Sequence, residues 1–99
     1  IGSLDTVFIV LKLKQDNYQV YIGKLKEYEI DFVAEKGNQK IYIQVSYLLS
    51  SEQTIEREFR PLRLIKDNYP KYVLTMDKYP QTNDNGIIRM NIIDFLMDK

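Results

Sequence analysis

The residues whose types and spacing could do chemistry are few and lie close together. Glu29 and Asp31 stand two apart in Glu29-Ile30-Asp31-Phe32-Val33-Ala34, and Gln44 and Ser46 two apart in Lys40-Ile41-Tyr42-Ile43-Gln44-Val45-Ser46-Tyr47. Positions two apart on a strand share a face. Glu29, Asp31, Gln44 and Ser46 form the one carboxylate-plus-polar constellation in the sequence that looks like a site. For side chains of this kind a hard, oxygen-liganded metal is the most plausible helper in any catalysis. The chain has no histidine and no cysteine. That removes the usual general base, the commonest metal ligand, the thiol nucleophile, disulfides and cysteine zinc sites. Any catalysis would have to rest on Asp, Glu, Lys, Tyr or Ser.

The elements that must hold these residues follow from periodicity. Tyr28 to Ala34 and Lys40 to Tyr47 read as two strands around a Gly37-Asn38 turn, because Ile41, Ile43 and Val45 alternate with Tyr42, Gln44 and Ser46. Tyr18 to Ile22, closed by Gly23 and a turn over Lys24 to Glu27, makes a third strand, so an antiparallel meander is expected. Before it, Leu4, Val7, Phe8 and Leu11 form an apolar stripe that predicts a helix from Leu4 to Asp16 with its buried face along that stripe and Ser3 as N-cap. The β-branched Val7, Ile9 and Val10 pull the other way.

After the meander, Ser50 with Gln53 fits a capping box, and Ile55, Phe59, Leu62 and Ile65 make one apolar stripe. Pro61 inside it predicts a kink or a broken turn, and Asp67-Asn68 ahead of Pro70 predicts the stop. Tyr72 to Thr75 reads as a strand, Asp77 to Gly86 as a long loop, and Ile87 to Met90 as a last strand. Asn91 would cap a terminal helix through Leu96 with Asp94 in its first turn. The expected class is α/β: helix, three strands, helix, strand, then a further strand and a short helix.

Composition narrows the function classes. Ninety-nine residues suit one domain over residues 1–99. Fourteen basic residues balance fourteen acidic ones, for a formal net charge of zero. Non-specific nucleic-acid binding is driven by phosphate neutralisation and goes with a basic excess, so nucleic acid is not the favoured partner. The longest apolar run, Val7 to Leu11, is too short for a membrane span, and no signal-peptide pattern is visible. The default expectation is a cytoplasmic location. The start at Ile1-Gly2-Ser3 suggests an excised domain with a tag scar.

The paired stretches around Asp31 and Gln44 resemble the core hairpin of PD-(D/E)XK (restriction-endonuclease-like) proteins. In that superfamily a metal-binding Asp lies on one strand and a Glu-x-Lys or Gln-x-Lys pair on the next. Asp31 matches the Asp and Gln44 the Glu/Gln, so the resemblance implies Asp31 and Gln44 as ligands of Mg²⁺ or Mn²⁺ with Glu29 nearby. Ser46, however, stands where the Lys would be. Over nearly its full length the chain also resembles the C-terminal domain of unknown function of AAA-type ATPase-like proteins common in Bacteroides-type bacteria. Val20 to Lys24, Glu29 to Ala34, Tyr42 to Tyr47, Thr54 to Phe59, Asp67 to Asp77 and Asn91 to Leu96 carry that likeness.

The resemblance implies a nuclease-like fold and a parent protein whose N-terminal ATP-binding module is a partner. No G-x-x-x-x-G-K-[ST] phosphate loop occurs here, so ATP chemistry would lie outside these residues. Ser46 in place of the cation implies a degenerate active site, vestigial at Asp31, Gln44 and Ser46, with no cofactor expected. The leading expectation is a non-catalytic module with an interaction or regulatory role. The alternatives are a Mg²⁺- or Mn²⁺-dependent DNA nuclease, with Arg57, Arg60 or a displaced Lys supplying the cation, and a nucleic-acid-binding module without catalysis.

Three further features have plain readings. Glu56, Arg57, Glu58, Arg60 and Arg63 read as a solvated helix face with i,i+4 pairing such as Glu56 with Arg60. Asp77 and Asp84 in the long loop lack the EF-hand ligand register. The eight tyrosines suit an interface or a covered sheet equally well.

Overall fold

A computed structural model describes residues 4–97. The element order is α1 (Leu4–Gln15), β1 (Gln19–Leu25), β2 (Tyr28–Lys36), β3 (Gln39–Ser46), α2 (Glu52–Arg63), β4 (Lys71–Thr75), β5 (Thr82–Asp84), β6 (Ile87–Asn91) and α3 (Ile92–Met97). The six strands form one mixed sheet in the order β1-β2-β3-β4-β6-β5. β1, β2 and β3 are the expected antiparallel meander, except that β1 continues through Gly23 and Lys24 to Leu25 in place of the turn over Lys24 to Glu27. Past α2 the chain returns as β4, parallel to β3, and β6 then adds parallel to β4. A crossover is required wherever consecutive strands run parallel, and α2 supplies it.

Each face of the sheet carries its own core. Ile9, Leu13, Phe32, Ala34, Ile43, Leu74, Ile92 and Phe95 pack on the α1 and α3 side. Ile30, Val33, Tyr42, Leu49, Phe59, Leu62, Val73 and Ile87 pack on the α2 side. Tyr72 meets Phe95 edge-on, with centroids 5.7 Å apart. No helix among the described residues is long and apolar enough to cross a membrane.

The helix α1 forms as expected, but its orientation is reversed. Leu4, Val7, Phe8 and Leu11 are 67%, 48%, 48% and 56% exposed, whereas Thr6, Ile9 and Leu13 are buried. Ile9 and Leu13, one turn apart, seat the helix on the sheet, with Val10 packed beside them. The wider apolar stripe is left facing outward. The proposed Ser3 cap lies outside the described residues.

Four further expectations are corrected. The N-cap of α2 is Ser51 rather than Ser50: its extended backbone lets Oγ accept the Thr54 N–H at 3.1 Å. Pro61 does not break α2, which runs to Arg63, and Leu64 N–H still reaches Arg60 O at 3.2 Å. So close to the helix end, Pro61 removes one bond and has little helix left to disturb. The stop falls at Leu64, before Asp67-Asn68. Finally, the stretch read as one loop from Asp77 to Gly86 contains β5, joined to β6 by Asn85-Gly86. Both turn residues have positive φ, 53° and 91°, as a two-residue type I′ hairpin requires.

The terminal helix matches its reading. Asn91 Oδ1 accepts the N–H groups of Ile93 at 2.8 Å and Asp94 at 3.3 Å.

Candidate functional site

The site grows out of an irregularity in β2. Tyr21 pairs with Val33 but Gly23 pairs with Ile30, so β2 carries one extra residue where β1 has none. This bulge places Ile30 and Val33 in the same core despite their odd spacing. Gly23 makes the close approach feasible: a Cβ there would sit 2.5 Å from Val33 Cγ2.

Beyond the bulge β2 and β3 part. Their ladder ends at the Phe32–Ile43 pair. Side chains then take over from backbone. Asp31 N–H donates to Gln44 Oε1 at 2.8 Å, and Val45 N–H donates to Asp31 Oδ2 at 2.9 Å. Gln44 is 3% exposed, and its Nε2 leans toward the Glu58 carbonyl oxygen of α2 at 3.4 Å. Two backbone donors that would otherwise be stranded are thereby satisfied. The structure thus brings Asp31 and Gln44 together. Ser46 does not join them. Its Oγ donates to Leu48 O at 3.1 Å and closes the chain reversal after β3. Glu29 is exposed and acts on Asp31 only through its charge.

Sequence reading missed Glu58, which was assigned to a solvated face. Burial raises its carboxyl above the usual range, the negative Asp31 raises it further, and Arg57 partly offsets both. Burial likewise raises Asp31, against the Val45 N–H that favours its charged form. The two acids thus form a partly buried pair with less compensation than either needs. The signal was present: Glu58 is three residues past Ile55 and four before Leu62, inside the apolar stripe of α2.

The cations offered as substitutes for a lysine divide. Arg57 Nε stands 3.7 Å from Glu58 Oε2 on a side chain that is 70% exposed, at the rim of the cluster. Arg60 points elsewhere, to Glu56 at 3.1 Å and to Tyr28 Oη at 3.3 Å. The Glu56–Arg60 pair is the i,i+4 contact expected on that helix. Lys71 is buried, but its ammonium donates to Asp67 O, Asp67 Oδ1 and Tyr69 O, all at 2.9 Å. All three of its protons are committed there.

A second polar cluster caps the carboxyl ends of β3, β4 and β6. Asp77 Oδ2 accepts Leu49 N–H and Thr75 Oγ1–H, each at 2.8 Å, and lies 3.5 Å from Arg89 Nη2. Asn91 Nδ2 donates to Asp77 O, and Arg89 stacks over Tyr79 at 4.6 Å. The Leu49 N–H first, then Thr75 and Arg89, hold the Asp77 carboxyl below the usual range. Asp84 does not share this cluster; it pairs with Arg63 at 3.4 Å.

What the first cluster can do chemically is limited. A hard divalent cation takes oxygen donors and tolerates several waters. With Oδ2 of Asp31 on Val45 and Oε1 of Gln44 on Asp31, the oxygens left to offer one are Asp31 Oδ1 and the Glu58 carboxylate. Among the described residues no group of three or more His, Cys, Asp or Glu side chains converges.

No model of a known protein family matches the chain. The chain is similar to an uncharacterized protein of Haemophilus influenzae, at 37% identity over 89 residues. The match takes in 90% of this chain and 22% of that protein. The chain therefore spans about a fifth of the length of the relative it matches.

Proposed function

We propose that the chain is a non-catalytic interaction or regulatory module on a PD-(D/E)XK (restriction-endonuclease-like) core, carried by a longer AAA-type ATPase-like protein. The order helix, antiparallel β1–β3, crossover helix and parallel β4 is the order that this core would have. The much greater length of the Haemophilus influenzae relative is in keeping with a module of a larger polypeptide.

One observation carries the non-catalytic part. The side chains aligned with the metal-binding positions are engaged in replacing backbone hydrogen bonds where β2 leaves β3, through the Asp31 N–H to Gln44 and Val45 N–H to Asp31 bonds. Ser46, at the position of the lysine, turns to Leu48 O.

A second reading, a divalent-metal-dependent DNA nuclease, draws support from the Asp31–Glu58 pair, whose raised carboxyls would be relieved by a cation. Calorimetric titration with Mn²⁺ and Mg²⁺ separates the two, using wild type, Asp31→Asn and Asp31→Ala. On the non-catalytic reading no saturable binding occurs; Asp31→Asn, which keeps an acceptor for Val45 N–H, folds normally, and Asp31→Ala is destabilised. Saturable Mn²⁺ binding that Asp31→Asn abolishes would sink this reading and make nuclease assays the next step.

A further inference from the structure

The two edges of the sheet are unlike. β5, at one edge, is three residues long, polar and exposed throughout, and its Asp84 is paired with Arg63. Such an edge is blunt to further pairing. β1, at the other edge, is seven residues long, has no proline and a single charged residue, Lys24. Ile22 at its centre is 66% exposed. Beside it runs the outward face of α1, and Thr6, Val7, Val10, Leu11, Ile22, Asp31 and Phe32 line a shallow, mainly apolar cavity of about 340 Å³ between them. An open edge continuous with an apolar helix face is a surface that natural sheets ordinarily cover.

We propose that a second copy of this chain covers it, through antiparallel pairing of β1 with β1 about a two-fold axis at Ile22. An antiparallel edge is its own complement, and this register meets three conditions. Ile22 lies opposite the partner's Ile22. Lys24 lies opposite the partner's Val20, so no like charges face each other across the strands. Val20 packs in the core under α1, which puts Ile22, two residues on, on that same face. The two copies thus bring Ile22 and Leu11 of each into one apolar strip.

The axis, normal to the sheet, also reverses α1, setting the acidic first turn at Asp5 of one copy toward the last turn of the other, where Lys14 is basic and Lys12 pairs with its own Asp16 at 3.3 Å. A net charge of zero leaves no overall repulsion to oppose the pairing. The result is a closed, isologous dimer with one continuous twelve-stranded sheet and β5 at both free edges.

This names a partner for the interaction role proposed above, and the two ideas fail on different measurements, metal binding for that one and mass for this one. Sedimentation equilibrium of the 99-residue chain should give a concentration-dependent mass rising from 11.8 kDa to twice that value. Ile22→Lys and, separately, Leu11→Lys should each hold it at the monomer mass with an unchanged circular dichroism spectrum, since both side chains are exposed. Thr82→Lys on the β5 edge should leave the dimer intact. Amide exchange in β1 should slow as concentration rises. A chain that stays monomeric at every concentration reached, species larger than a dimer, or a dimer that survives Ile22→Lys would each overturn the proposal.

Discussion

Two aspartates pin the same stretch of chain from opposite sides, and they are in opposite electrostatic states. Asp31, from β2, accepts Val45 N–H at the end of β3; Asp77, after β4, accepts Leu49 N–H four residues further on. Asp77 is surrounded by donors and a cation, so its charge is stabilised and its carboxyl lies low. Asp31 carries a burial cost and the negative charge of Glu29 beside it against one backbone donor, so its carboxyl lies high, and its own charge in turn raises Glu58. The same geometric task, a carboxylate replacing a missing backbone acceptor, is therefore done once with surplus compensation and once with too little. A carboxylate of the second kind is where a proton or a cation has something to gain.

The largest effect expected from this contrast is at Asp77. Asp77→Ala leaves Leu49 N–H and Thr75 Oγ–H without their acceptor and strands the guanidinium of Arg89, whose Nε already lacks a partner. Both members of the Asp77–Arg89 pair are largely buried, at 16% and 17% side-chain exposure. The loss should be about 2–4 kcal/mol in urea unfolding. A loss below about 1 kcal/mol would break the comparison, because Asp77 would then be no better compensated than a surface acid.

At Asp31 the substitutions should split. Asp31→Ala strands Val45 N–H and should cost about 1–3 kcal/mol. Asp31→Asn keeps an acceptor oxygen and removes the repulsion with Glu58, so it should be nearly neutral or stabilising. The matching Asp77→Asn has the opposite sign, since it loses a charge that Arg89 stabilises. Equal costs for the two Asn variants, measured side by side, would erase the distinction between the clusters. A third probe addresses the bulge that creates the Asp31 site. Gly23→Ala pushes a methyl against Val33 and Ile30 and should cost about 1–3 kcal/mol.

Much of this arrangement could be read from the sequence, and what could not has identifiable causes. The meander and the Asn91 cap follow from period-two alternation and from turn and capping residues, which act locally. The direction in which α1 faces does not. Two apolar sets, Leu4-Val7-Phe8-Leu11 and Ile9-Leu13, compete on one helix, and only the sheet beneath decides between them. The charges beside Glu58 point to a solvated face, whereas its place in the apolar stripe of α2 points inward, and the stripe is the better guide. β5 was lost in a polar loop although Asn85-Gly86 is a strong hairpin signal, because Thr82-Asn83-Asp84 has no apolar face to announce a strand. The bulge in β2 leaves no mark in hydrophobicity beyond the run Phe32-Val33-Ala34, which breaks alternation.

The smallest effect is also the most specific, because the two clusters should respond to pH with opposite signs. Asp77 has a folded-state pKa below its unfolded value. The stability it contributes is present above the ordinary aspartate range, about pH 4, and is lost as pH falls from there toward the lowered value. Asp31 and Glu58 have folded-state values above their unfolded ones. Their contribution favours folding in acid, where the folded state holds the protons more tightly, and declines as pH rises from about 4 through the raised values. In wild type the two trends fall on opposite sides of about pH 4, so a single pH–stability curve rises and then falls without saying which acid is responsible.

Difference curves separate them. The stability of Asp31→Asn relative to wild type should improve as pH rises from the ordinary aspartate range, about pH 4, through the raised Asp31 value and level off above it. That of Asp77→Asn should worsen over the acid side of the same scale, as the wild-type charge forms. The groups facing Asp31 are Glu29 on its own strand and Glu58 with Arg57 on α2, so Glu58→Gln should reduce the slope of the Asp31 curve and Arg57→Ala should steepen it. Parallel difference curves for Asp31→Asn and Asp77→Asn would mean that the Asp31–Glu58 pair is as well compensated as Asp77, and the electrostatic case for a cation at that cluster would fall with it.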